Sequence, residues 1–121
     1  MTSIDDQTAT TLATLARFSA ALERRDVDGL IAEMTDDVVL ESPGPAPDGE
    51  RYEGAAAVRE FFARFYEANP TARFDEEEVF AAGDRCIVRW VYDWGAGHVR
   101  GVDVMRLRDG RIFETLGYVK G

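Results

Sequence analysis

The sequence predicts an α+β domain in which three helices pack within a curved, mostly antiparallel sheet, giving a cone with an apolar interior. Three observations lead there. Apolar residues recur at helical spacing in the first half of the chain. From residue 73 onward the period changes to two, and short glycine-containing turns divide that half into four consecutive strands. Finally, Asp103 interrupts a strand whose residues of like parity are Val99, Gly101, Met105 and Leu107, so a carboxylate points where apolar groups point.

The elements follow in order. Leu12, Leu15, Ser19 and Leu22, with Phe18 at the edge, mark a first helix between about Thr8 and Arg25. Asp26 can cap a short second helix with an apolar face of Val27, Leu30, Ile31 and Met34, and Asp36 and Asp37 end it. Residues 38–42 read as a first strand. Three prolines and two glycines in residues 43–49 exclude helix or central strand and make a loop, a rim or lid of the cone. Gly54 precedes a third helix with Val58, Phe61, Phe62 and Phe65 on one face, closing at Asn69 and Pro70. Four strands then span residues 73–82, 85–94, 98–108 and 111–119, and their short connectors make consecutive strands antiparallel neighbours.

The 121 residues suffice for one domain, residues 1–121, with a core that needs no disulfide or metal. Cys86 is the only cysteine, and no Cys/His cluster is spaced to hold zinc, so neither metal nor organic cofactor is expected. A formal charge of -9 disfavours nucleic acid and anionic membrane as partners. No apolar run approaches the ~18 residues of a membrane span, and the acidic start does not read as a secretory signal, so a cytoplasmic location is expected.

Residues 26–37, the Tyr52-Glu53-Gly54 sequence opening the third helix, residues 102–106 and residues 109–112 together resemble the nuclear transport factor 2-like superfamily, in particular SnoaL-like polyketide cyclases and ketosteroid isomerases. The resemblance covers nearly the whole chain. It implies the cystatin-like cone, a hydrophobic small-molecule ligand and a homodimer formed through the sheet. Ketosteroid isomerases use an aspartate base, a tyrosine and a protonated aspartate. On this chain the protonated aspartate falls on Asp103, the base on Ser42 and the tyrosine on Phe18, which has no hydroxyl. The acid that SnoaL-like cyclases carry on the last strand falls on Gly117, and the Arg-x-Asp arrangement of related epoxide hydrolases is replaced by Arg89, Trp90 and Val91.

Asp103 is therefore the leading catalytic candidate, a protonated donor to a carbonyl or enolate oxygen; the alternative is a structural carboxylate paired with Arg89 or backbone donors. His98, the only histidine, is either a solvent-facing turn residue or, if the strand end brings it to the cone mouth, the missing base; Asp93, Glu53 or a water are the other choices. Ser42 either offers its hydroxyl to a ligand or fastens the turn before Pro43. Phe18, Phe62, Trp90 and Met105 are expected to hold the ligand, and Cys86 to be a packing residue. The acidic residues 75–78 read as a solvated strand. The expected function is a cofactor-independent isomerase or cyclase acting on a hydrophobic, polyketide- or steroid-like carbonyl compound. The alternatives are a ligand-binding domain without catalysis and an assembly scaffold, the last of which requires a filled cone.

Overall fold

A computed structural model describes residues 3–121. Helices α1 (Ile4–Arg24), α2 (Val27–Ala32) and α3 (Ala55–Ala68) accompany strands β1 (Met34–Glu41), β2 (Arg51–Glu53), β3 (Arg73–Ala82), β4 (Arg85–Asp93), β5 (His98–Arg108) and β6 (Arg111–Val119). The six strands form one open, curved sheet in the order β2-β1-β6-β5-β4-β3. All neighbours are antiparallel except β1 and β6, which run parallel. Asp109 and Gly110 both take positive φ (53° and 77°), as the two-residue turn between β5 and β6 requires.

Helix α1 starts earlier than its apolar spacing indicates. Ser3 caps it by accepting from the Asp6 N–H at 3.1 Å, and the polar first turn that follows leaves no periodic trace. Its buried face is also rotated from the expected one: Thr11, Thr14, Leu15, Phe18 and Ala21 are buried, while Leu12 is exposed. The two threonines are buried because they fasten the helix to the sheet. The Thr11 hydroxyl donates to the Gly83 carbonyl at 2.7 Å, and that of Thr14 to the Gly110 carbonyl at 2.6 Å. Both carbonyls sit in hairpin turns, so α1 is pinned across two loops of the sheet.

Two further expectations are corrected. Met34 begins β1 rather than ending α2, and Asp36 and Asp37 lie within that strand. The register between β1 and β6 shifts between Met34 and Val39, a bulge that lets both acids face water while Thr35 and Val38 are buried. There Asp37 meets Arg108 at 2.6 Å. Strand β2 was not foreseen, because three residues are too few to show alternation; it exists through its pairing with β1.

The core joins Leu15, Phe18, Leu30, Val38, Val58, Met105 and Ile112. Gly101 on β5 faces Trp90 on β4, and a methyl group there would lie 2.5 Å from the indole ring and 2.4 Å from the Tyr118 carbonyl oxygen. The absent side chain is what allows the six-membered part of the Trp90 indole to sit over Gly101. Gly101→Ala is expected to lose about 1 to 3 kcal/mol of stability in urea unfolding, since neither the backbone nor a packed ring can yield freely; an unchanged midpoint would contradict this packing.

Candidate functional site

The inner face of the sheet, read through its register, sets the site. Val88, Asp103 and Gly117 are cross-strand partners in one row, Cys86, Met105 and Thr115 in the next, and Glu76, Trp90 and Gly101 in the row on the other side. Helices α1 and α3 cover these rows incompletely. A cavity of about 200 Å³ remains, walled by Phe18, Phe62, Phe65, Phe74, Trp90 and Met105, with Asp103 set into its side. The filled cone that a pure scaffold would need is not what this chain forms.

Gly117 makes the placement of Asp103 feasible. A Cβ at that position would stand 3.3 Å from Asp103 Oδ1 and 3.0 Å from the Pro43 ring. The carboxyl thus lies against the space that a side chain at this position of β6 would fill. Arg89 does not pair with it. That guanidinium lies on the outer face against Glu78 at 3.6 Å, while Arg100 holds Glu77 at 2.6 Å and Arg108 holds Asp37.

Asp103 keeps some surface open to the cavity, yet the walls exclude bulk water from its carboxyl. This desolvation raises its pKa from 3.8 to about 7. The nearby Trp90 N–H opposes the shift by favouring the ionised form. Its geometry falls short of a hydrogen bond: Trp90 is 4% exposed, and its buried Nε1 has no partner among the described residues. A buried donor without a partner is uncommon in folded proteins. Here it stands beside the carboxyl, and both border the same apolar space.

Ser42 is buried and borders the cavity, but its hydroxyl is committed to the loop, donating to the Gly44 carbonyl at 2.8 Å and accepting from the Glu50 N–H at 3.0 Å. His98 is exposed and is the cross-strand partner of Asp93 on the outer face: it takes the solvent-facing place, opposite Asp103, that strand parity indicates, and it does not border the cavity where the base would have to stand. Asp93 accepts from the Gly95 N–H, and Glu53 pairs with Arg51; neither borders the cavity. Cys86 is buried beneath Met105, and desolvation, with the Asp103 charge adding to it, pushes its thiol up to about 12, which leaves it an unreactive packing group.

Glu76 escaped the sequence reading. Among the acids at 75–78 it alone borders the cavity, at its exposed rim: it shares the parity of Phe74, and the bulge between Glu76 and Glu78 comes only after it. Its place opposite Trp90 was the available signal, once strand pairing is known.

A SnoaL-like domain model matches residues 15–115. The chain belongs to the SnoaL-like family. The same fold occurs in an NTF2-like protein of unknown function from Mesorhizobium loti, 39% identical over the full length of both chains with a TM-score of 0.88. A steroid delta-isomerase from Pseudomonas aeruginosa is 26% identical over 93% of this chain and 81% of its own, with a TM-score of 0.76. TerC, co-crystallised with polyporic acid, is 22% identical over 92% of each chain, with a TM-score of 0.78, and shows the fold alone. No curated protein matches this SnoaL-like sequence.

The buried carboxyl of this SnoaL-like protein has a thermodynamic signature. An unfolded chain releases the Asp103 proton near 3.8, whereas the native state retains it up to about pH 7. Between those values the native state binds more protons, so stability falls as pH rises. Asp103→Asn removes this titration, and its melting temperature is expected to climb relative to wild type between about pH 4 and pH 7 and to run parallel to it above that. A constant difference across that range would contradict the assignment.

Proposed function

We propose that this SnoaL-like protein binds a hydrophobic carbonyl compound in its apolar cavity and promotes isomerisation or cyclisation through the enol form. The observation that carries the reading is the convergence of Asp103 and the unpartnered Trp90 N–H on an otherwise apolar space. A carbonyl oxygen placed between them would accept from the neutral carboxyl and from the indole. Both bonds strengthen as negative charge develops on that oxygen during enolisation, which is the condition for stabilising a transition state rather than a bound substrate. The proton that leaves the neighbouring carbon passes to water entering through the open end, and returns at another carbon. The isomerase relative from Pseudomonas aeruginosa supports this reading.

The size of the cavity narrows the ligand. An enclosed apolar space of roughly 150 Å³ accommodates benzene; about 200 Å³ holds one or two fused rings, with the rest of a larger polyketide- or steroid-like molecule extending toward the mouth.

A binding domain without catalysis is the second reading. It is favoured by one observation, that the position where relatives carry a base is Ser42, whose hydroxyl is already bonded within its loop. Turnover separates the two: wild type should convert a β,γ-unsaturated cyclic ketone to its conjugated isomer, read by ultraviolet absorbance, whereas binding without conversion would select the second reading.

Binding itself tests the anchor. With 1-tetralone as probe and tetralin as its hydrocarbon counterpart, Asp103→Leu and Trp90→Phe are each expected to weaken ketone binding about tenfold more than tetralin binding in calorimetric titration, the order of a lost buried hydrogen bond. Equal effects on both probes would mean that the two residues act only through packing.

The outer face of the sheet supports a second copy of the chain as partner. Phe80, Ile87, Val104 and Leu116 form one apolar row across β3, β4, β5 and β6, with Phe80 61% exposed. An exposed apolar row of this kind marks an association surface. Val104→Arg is expected to turn a dimer into a monomer in sedimentation analysis; a wild-type monomer would overturn the proposal.

A further inference from the structure

Glu76 is a second polar group on the wall of the same cavity, and its surroundings separate it from the other acids of its strand. Asp75 is paired with Arg73 at 3.0 Å, Glu77 with Arg100 at 2.6 Å and Glu78 with Arg89 at 3.6 Å. Glu76 instead lies on the same face as Phe74, at the exposed rim of the cavity, and accepts from the hydroxyl of Ser19 on α1. Ser19 also borders the cavity, so helix and strand supply one polar cluster.

The position relative to Asp103 is fixed by the sheet. Glu76 is the cross-strand partner of Trp90, whose buried N–H is unpartnered and borders the cavity. Two strand spacings and two residues along β5 separate Glu76 from Asp103, about 12 Å between Cα atoms. A flat ligand of one or two rings with a polar atom at each end matches a separation of this order. The wall between the two acids is aromatic, formed by Phe74 and Trp90, which meet edge to face with centroids 5.2 Å apart. Glu41, the remaining acid at the cavity edge, is held by Arg51 at 2.9 Å.

We propose that Glu76, held by Ser19, is the second anchor of the ligand, accepting a hydrogen bond from a hydroxyl or amino group at the end opposite the carbonyl held by Asp103 and Trp90. The pocket thereby selects a flat, one- or two-ring compound with an acceptor at one end and a donor at the other, and the net charge of -9 disfavours a carboxylate in the donor's place. A hydrogen bond to an ionised acceptor is among the stronger kinds, so a ligand that carries the donor is preferred over one that lacks it. This inference rests on the carbonyl-binding reading, but its signature is separate.

The test compares 1-tetralone with 6-hydroxy-1-tetralone by calorimetric titration. Wild type is expected to prefer the hydroxyketone by about tenfold or more. Glu76→Gln, a change of one terminal atom at the cavity rim, is expected to reduce that preference to within about threefold while leaving 1-tetralone affinity unchanged. A preference that survives Glu76→Gln, or is absent from wild type although 1-tetralone binds, would overturn the second anchor and leave the carbonyl site standing. Failure of both ketones to bind wild type would overturn the two together.

Discussion

Removing a carboxyl from water is costly unless something compensates, and the architecture of this SnoaL-like protein is arranged around one such removal. Asp103 lies on β5, with β4 and β6 on either side, so its backbone cannot shift to re-expose it. Its cross-strand partners are Val88 and Gly117, the first apolar and the second without a side chain. Water is kept away by the aromatic residues of α1, α3 and the sheet. The chain responds by keeping the proton on the carboxyl to a higher pH, which converts an acceptor into a donor.

The aromatic wall serves stability and recognition at once. Phe61, Phe62, Phe65 and Tyr66 on α3 contact one another, and Phe65 reaches Phe74 and Tyr92 on the sheet with centroids 5.9 and 5.6 Å away. Arg25, just past α1, donates to the Asn69 carbonyl at 2.9 Å and lies 5.2 Å from the Tyr66 ring centre, tying the end of α1 to that of α3. With α1 also pinned at Gly83 and Gly110, the cavity is bordered by elements that are anchored at both ends. Such a site is preformed, so a ligand has little ordering cost to meet.

The fold was legible because its two periodicities are clean. The meander from residue 73 onward was readable almost to the residue, since alternation and Asp-Gly or glycine turns agree there. Asp103 was legible for the same reason: a charge on the apolar parity stands out. What was hidden depended on events that break a period. The bulge in β1 concealed the true start of that strand, and four consecutive acids in β3 carry no apolar parity to show which of them borders the cavity. His98 follows the parity of its strand to the outer face, whereas Ser42 could not be assigned until its loop hydrogen bonds were known. The unpartnered Trp90 N–H leaves no sequence trace, because a tryptophan on the inward parity reads only as core.

The most direct measurement is the ionisation of Asp103 itself. Carbon-13 NMR of side-chain carboxyls, with Asp103→Asn to assign the resonance, follows its titration in the free protein. A midpoint near pH 7, well above those of the exposed aspartates, is the expected result and would establish a neutral carboxyl facing the cavity. A midpoint near 4 would show that water reaches the group, and the donor role on which the proposed chemistry depends would be contradicted.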